Sequence, residues 1–340
     1  MKRLIFALFT LTATTASLAM PVDELVQIIS SHVVKVQVAL TNGGYGLGSG
    51  VVIAKDQVVT NCHVVANAVS VTVNTNGRNY IASGLKPDWH HDLCILKVAD
   101  IDAPFATIGS SEKLKHEKPV YSVGFASFSP RPNGTSSFVK GLFAMDDSVV
   151  IRASNTFRLG DSGGGMFDES GKLVGIITVK SPGRDAFYYN MPVEWVQALM
   201  NKPTQSIASA SELPFWAESA DKWPFFMRVV QPLKTENWAE LNTIASAWFE
   251  NEPNNSEALF YRAVAEYSLK NPSLAQADFN RVIAKNSNNS SALYYLGLIA
   301  EEAGKHLEAL NMVAMLDRLD VALADELKVA MGLMGNNKQR

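Results

Sequence analysis

Between Val22 and Met200 the chain is a succession of short runs rich in valine and isoleucine, and this pattern limits its fold more than any other feature. VVKVQVAL (33–40), GSGVVIA (48–54), SVTVN (70–74), LCILKV (93–98), PVYSVGF (119–125), SVVIRA (148–153) and LVGIITV (173–179) each have the length of a strand. Gly, Asn, Pro and Ser punctuate them. Branched side chains suit a pleated surface, and many short strands with turn residues between them indicate a sandwich or barrel. Strands do not alternate with helix-length segments here, which argues against a doubly wound parallel sheet.

The pattern changes near residue 200. Residues 201–234, with Pro203, Pro214, Pro224 and the stretch SIASASE, read as a linker or loosely packed bridge. Phe215, Trp216 and Trp223 predict that it docks on another part of the molecule. From Thr235 the sequence reads as helical to about residue 335. Residues 254–287 and 288–320 form an internal repeat: Ala258 matches Ala292, Leu259 Leu293, Tyr261 Tyr295, Ala263 Gly297 and Ala275 Ala309, each pair 34 residues apart. That period is shared with tetratricopeptide (TPR) repeats, paired helices that stack into a solenoid. An ordinary helical hairpin bundle is the other reading. The expected fold class is therefore a multidomain β + α chain, its strands followed by an α-helical TPR-like solenoid.

A length of 340 residues suits about two domains. With 30 basic and 33 acidic side chains the formal net charge is -3, which predicts no broad basic surface for nucleic acid. No apolar run in the body reaches the ~18 residues of a membrane span. The start differs: Lys2 and Arg3 precede an apolar run, Leu4 to Leu11, and Ser17-Leu18-Ala19. This reads as a signal peptide over 1–19, cut after Ala19, and predicts an exported protein, periplasmic or secreted.

Three segments carry chemistry. VVTNCHVVANA (58–68) holds His63, HHDLCILKV (90–98) holds Asp92 and RLGDSGGGMF (158–167) holds Ser162. A serine hydroxyl is a weak nucleophile until a nearby imidazole can take its proton. A carboxylate on the other ring nitrogen fixes the tautomer and stabilises the imidazolium. The developing oxyanion needs aimed donors, and the amides of Gly160 and Ser162 in a glycine-rich turn are the candidates. The order His, Asp, Ser is one of several in which this constellation occurs. No cofactor motif or phosphate loop is legible. His90 and His91 adjoin Asp92, but adjacent residues of a strand point to opposite faces, so no metal site is expected.

With those residues in view, 22–200 resembles the trypsin-like (chymotrypsin-fold) serine proteases, and among them the HtrA-like branch. TNCHVV, HDLCILKV and YYNMPV (188–193) are similar to that branch's boxes around the histidine, the aspartate and the barrel-closing strand. The resemblance implies two six-stranded β-barrels with the site between them, polypeptide substrates, Ser162 as nucleophile, His63 as general base and acid, and Asp92 as the orienting group. It also implies a substrate pocket with Thr156 at its base and Thr178 to Lys180 along one wall, predicting an uncharged side chain of small or medium size before the cleaved bond. The chain departs from the HtrA-like pattern in three ways. Asp161 replaces the usual Asn before the serine, and needs a partner such as Arg158, Arg152 or backbone amides. The repeats stand where a PDZ domain follows. The usual trypsin disulfides are absent.

Cys62 and Cys94 must lie close together if His63 and Asp92 touch. They form either a disulfide or a pair of buried thiols. Three functions are carried forward: a serine endopeptidase whose repeats recruit a partner, a substrate or a second copy; a protease-fold scaffold that is silent or opened by a partner; and, by family analogy, a quality-control protein that also holds unfolded chains.

Overall fold

A computed structural model of the chain describes residues 21–126, 129–181, 186–207 and 212–335. The leader expected over 1–19 lies outside the described residues. The sequence pattern is β-rich from Val22 onward, but the first element is a helix, α1 (Val22–Ser30). Its buried Leu25 and Ile29 are four residues apart and share one helical face.

Seven strands follow: β1 (Val33–Leu40), β2 (Tyr45–Ala54), β3 (Gln57–Asn61), β4 (Ala68–Thr75), β5 (Arg78–Ile81), β6 (Gly84–Asp88) and β7 (Leu93–Lys97), with a one-turn helix α2 (Cys62–Val65) after β3. They form one antiparallel sheet in the order β5-β4-β1-β2-β3-β7-β6. In β1 the register Val34↔Gly50, Val36↔Gly48 and Val38↔Gly46 sets valines of one face opposite glycines of β2. Those valines pack with Val52, Val58, Val71, Val73 and Leu96 into a core of their own.

The second set is β8 (Pro119–Gly124), β9 (Asn133–Met145), β10 (Ser148–Ala153), β11 (Gly165–Phe167), β12 (Leu173–Lys180) and β13 (Tyr188–Pro192), followed by α3 (Val193–Met200). These six strands close into a barrel, β10-β13-β12-β11-β8-β9. The two-barrel architecture expected from the sequence is present, with one difference. The first sheet has seven strands rather than six, and no ladder joins its edges β5 and β6 among the described residues. The outer edge of β6 is satisfied otherwise: Leu85 exchanges both backbone hydrogen bonds with Gln205, at 2.9 and 2.8 Å. A paired edge has no further donors to offer for closure.

The stretch read as a linker ends in two short helices, α4 (Phe225–Arg228) and α5 (Val230–Lys234). Beyond it come α6 (Trp238–Asn251), α7 (Ser256–Ser268), α8 (Pro272–Lys285), α9 (Ser290–Glu302), α10 (His306–Leu319) and α11 (Val321–Ala330). Helices α7 and α9 begin 34 residues apart, as do α8 and α10. Asn255 and Asn289 cap α7 and α9 at the same phase, their side chains accepting from the amides of Ala258 and Ala292. Small residues set the helix spacing: a Cβ at Gly297 would come within 2.4 Å of Leu327 on α11.

The helices are fastened to the closed barrel. Phe226 of α4 stacks on Phe143 of β9 with ring centroids 4.7 Å apart, and Phe225 stacks on Trp248 of α6 at 6.0 Å. One apolar core runs from Phe143 and Tyr189 through these rings to Tyr261 and Phe279. Arg152 of β10 donates to the Tyr261 hydroxyl at 2.9 Å and lies 4.4 Å over the Phe187 ring. Lys140 bridges Glu117 at 2.8 Å and Asp320 at 2.7 Å. The structure thus gives Arg152 to this interface and not to Asp161.

Candidate functional site

His63 lies in α2, just beyond β3, and Asp92 in the turn that opens β7. The β3–β7 register, Thr60↔Cys94 and Asn61↔Leu93, carries the two together. Asp92 has a φ of 58°, a conformation that aspartate tolerates better than most residues. It turns the carboxylate back toward α2. Oδ1 accepts the His63 backbone N–H at 2.7 Å and Oδ2 lies 2.6 Å from His63 Nδ1. The carboxylate is fully buried, whereas the imidazole is one-third exposed. The Asp92 carbonyl is held as well, accepting from the Cys62 amide at 3.2 Å and the Asn61 side chain at 2.9 Å. Cys62 and Cys94 are joined in a disulfide directly behind this pair.

Ser162 comes from the closed barrel, in the turn that leads to β11. The turn depends on two glycines with positive φ, Gly160 at 97° and Gly163 at 85°. A Cβ on Gly163 would fall 2.1 Å from the Ser49 carbonyl oxygen, so the turn seats directly on β2. Ser49 clasps it from that side. Its amide donates to the Ser162 carbonyl at 2.8 Å, and its Oγ donates to the Gly160 carbonyl at 2.8 Å while accepting from the Phe125 amide at 2.7 Å. Sequence reasoning missed Ser49. Its one signal is a hydroxyl between two glycines in GSGVV, where the strand pattern calls for an apolar residue.

Asp161 is buried. Oδ2 accepts the Arg158 backbone amide at 2.7 Å and Oδ1 has no hydrogen-bond partner. Burial pushes its pKa up, against the opposing pull of that amide and of the Arg158 charge. Of the partners expected for Asp161, it is the backbone amide of Arg158 that the structure supplies.

His63, Gly160 and Ser162 line one cleft of about 370 Å³ between the two sheets, with Val38, Leu47 and Val64 on its apolar side. No hydrogen bond joins the Ser162 hydroxyl to the His63 ring among the described residues. Thr156, Thr178 and Lys180 do not line this cleft. Thr178 is buried, accepts from Asn61 Nδ2 at 2.9 Å and donates to the Ile176 carbonyl at 2.9 Å. Its hydroxyl ties the two sheets together. Thr156 lines a small cavity of about 280 Å³ with Arg158, Asp161 and Ile177, beside the serine turn, and shares with Lys180 a larger one of about 1050 Å³ between the closed barrel and the helices, whose other walls include Tyr188, Tyr261 and Tyr294. That cavity shares no lining residue with the cleft.

His90 and His91 also depart from expectation. They sit in the turn between β6 and β7 rather than on a strand, and both reach Asp146 in the β9–β10 hairpin, at 3.5 and 3.1 Å. His91 is further held by Asp88 at 2.8 Å and stacks on Trp195 at 3.8 Å. Burial opposes charge on His91, but the two carboxylates outweigh it and hold its pKa above the ordinary range. Two imidazoles and a carboxylate are donor types that a divalent cation takes.

A closed barrel packed against a second antiparallel sheet, with a buried aspartate, a histidine and a serine turn at their junction, defines the trypsin-like class. Residues 48–176 match the model of the trypsin-like peptidase domain. A protein of Pseudomonas putida (strain GB-1) called "Probable periplasmic serine endoprotease DegP-like" is 33% identical over 157 residues, 44% of this chain and 33% of that protein. A protein of the same name from Halomonas elongata is 31% identical over 156 residues, with the same shares. The matched part spans about a third of the length of these relatives. Among solved structures, the active form of the Rv3671c protease from M. tuberculosis superposes with a TM-score of 0.51 at 20% identity, covering 60% of this chain and all of that one. This is a likeness of fold. No helix among the described residues is long and apolar enough to cross a membrane.

Proposed function

We propose that the protein is a serine endopeptidase that cleaves polypeptides through an acyl-enzyme. The observation that carries this reading is the buried Asp92 carboxylate 2.6 Å from His63 Nδ1, in a cleft that His63 shares with Ser162 and Gly160. With Nδ1–H committed to Asp92, Nε2 is the free base. It takes the Ser162 proton as Oγ bonds to the substrate carbonyl carbon, and then passes that proton to the leaving amine. The tetrahedral oxygen is received by the amides of Gly160 and Ser162. Water repeats the sequence on the ester and releases the second product. The missing Ser162–His63 hydrogen bond is compatible with this reading, because such bonds are often long before substrate binds.

The relatives' names and the charged, apolar start of the chain support export to a periplasm after removal of residues 1–19. The 34-residue offset supports a TPR-like region over 235–335 that recruits a substrate, a protein partner or a second copy. Thr156, Thr178 and Lys180 remain the candidates for substrate preference. The test is labelling of the full chain by a fluorophosphonate. Labelling that is lost in both Ser162→Ala and His63→Ala supports the reading; a folded wild-type protein that neither labels nor cleaves an unfolded polypeptide sinks it in favour of the silent scaffold.

A further inference from the structure

The Asp92 carboxylate has a third donor that comes from outside both barrels. Trp216 Nε1 donates to Asp92 Oδ2 at 3.2 Å, the oxygen that His63 Nδ1 also uses. The indole meets the imidazole edge-on, with ring centroids 5.6 Å apart and planes at 90°. Trp216 lies 124 residues beyond Asp92 in sequence, between α3 and α4. Its position is over-determined. The neighbouring Phe215 is buried, donates its amide to the His90 carbonyl at 3.0 Å, and packs its ring against both His90 and Phe226. Phe226 is in turn stacked on the closed barrel through Phe143.

We infer that Trp216 is a positioning residue for the His63–Asp92 pair. A buried carboxylate with no cation beside it is sustained by the donors it accepts. Here they are the His63 amide, His63 Nδ1–H and the indole N–H. The first two come from the residue being oriented; the third comes from an independent element and is, among the described residues, the one side-chain donor to the carboxylate from outside the pair. Withdrawing it makes Oδ2 more basic, which favours the protonated imidazole, and frees the carboxylate to rotate. The segment between the barrels and the helices is thus part of the acid–base machinery. The kinetic consequence rests on the endopeptidase reading; the hydrogen bond itself does not.

Trp216→Phe keeps an aromatic cap and removes only the donor. Under the inference its kcat falls about tenfold, as expected for part of a hydrogen bond to a charged group. KM stays within about twofold and the acid limb of the kcat/KM profile moves to higher pH. In the full chain, proton NMR of the His63 ring shows its titration midpoint moving the same way. Wild-type kinetics together with an unmoved His63 midpoint in Trp216→Phe would overturn the inference and leave the endopeptidase reading intact. If the wild type proves inactive, that reading fails alone, and the NMR midpoint still decides the role of Trp216. Should the variant not fold, the wild-type indole resonance decides: it must shift together with the His63 ring across pH, and an indole that ignores that titration refutes the hydrogen bond.

Discussion

Ser49 and Asp161 hold the serine turn from opposite sides, and their chemistry differs. Ser49 satisfies the Gly160 carbonyl and the Phe125 amide, both of which are buried. Ser49→Ala leaves those two groups without a partner, and each such loss costs about 1–3 kcal/mol. Urea melts should show a destabilisation near the lower end of the summed range, and fluorophosphonate labelling of Ser162 should slow at least tenfold because the turn loses its clasp. Asp161 works against the fold at neutral pH. Its pKa is raised by burial above the unfolded value of about 3.9, so the folded state binds the proton more tightly. Its contribution is therefore fully favourable below that unfolded value and is lost as pH rises through the folded one. Asp161→Asn keeps an acceptor for the Arg158 amide and removes the charge. It should raise Tm at pH 7, with the gain shrinking as the pH is lowered toward 4; equal gains at both pH values would contradict the assignment.

At the scale of elements, the β3–β7 ladder does more than close a sheet. Its register sets Cys94 beside Cys62, and the bridge closes a loop of 32 residues behind the histidine and the aspartate. Loop entropy alone assigns such a cross-link about 3–4 kcal/mol. The double variant Cys62→Ala, Cys94→Ala should lose most of that in denaturant unfolding, and the oxidised wild type should lose a comparable amount on reduction. The segment between α3 and α4 acts as a second fastener. Its Phe215 and Trp216 reach the β6–β7 turn of the first sheet, while Phe225 and Phe226, ten residues on, reach α6 and the closed barrel. Removing the Phe226 ring opens a cavity between Phe143, Tyr189 and Phe215. Phe226→Ala should cost roughly 3–5 kcal/mol, measured by chemical unfolding.

For the whole molecule, barrel and helices share one apolar core, and the Arg152–Tyr261 contact between them is buried too. Burial opposes charge on Arg152, but the Tyr261 oxygen, the Glu257 carboxylate and the Tyr189 oxygen outweigh it and keep the guanidinium above its ordinary range. Burial pushes the Tyr261 hydroxyl up to about 12, so it stays neutral and accepts from Arg152. An interface built this way does not behave as a loose tether. Calorimetry should record one cooperative transition for residues 21–335. Arg152→Leu, which leaves the Lys140 carbonyl and the Tyr261 hydroxyl without their donor, should split it into two.

Most of the scaffold was legible in the residues. Local patterning determines where strands and helices form, so the valine-rich runs marked seven of the thirteen strands and the 34-residue offset reappears in the starts of α7 to α10. The residue types around His63, Asp92 and Ser162 stand out because a turn of that composition has few other uses. Short or polar segments were not legible: β9 opens on Asn-Gly-Thr-Ser-Ser, and its place comes from its partners β8 and β10 rather than from its own propensity. Contacts between residues distant in the chain were hidden for a related reason. The Trp216 indole on Asp92, the Ser49 clasp, the Thr178 tie and the meeting of His90 and His91 at Asp146 each depend on how one element sits against another. The sequence by itself determined the elements and the reactive groups, because both follow from neighbours along the chain. Only the tertiary structure decided which donor faces which oxygen, because a hydrogen bond is set to within tenths of an ångström by packing that no local pattern encodes.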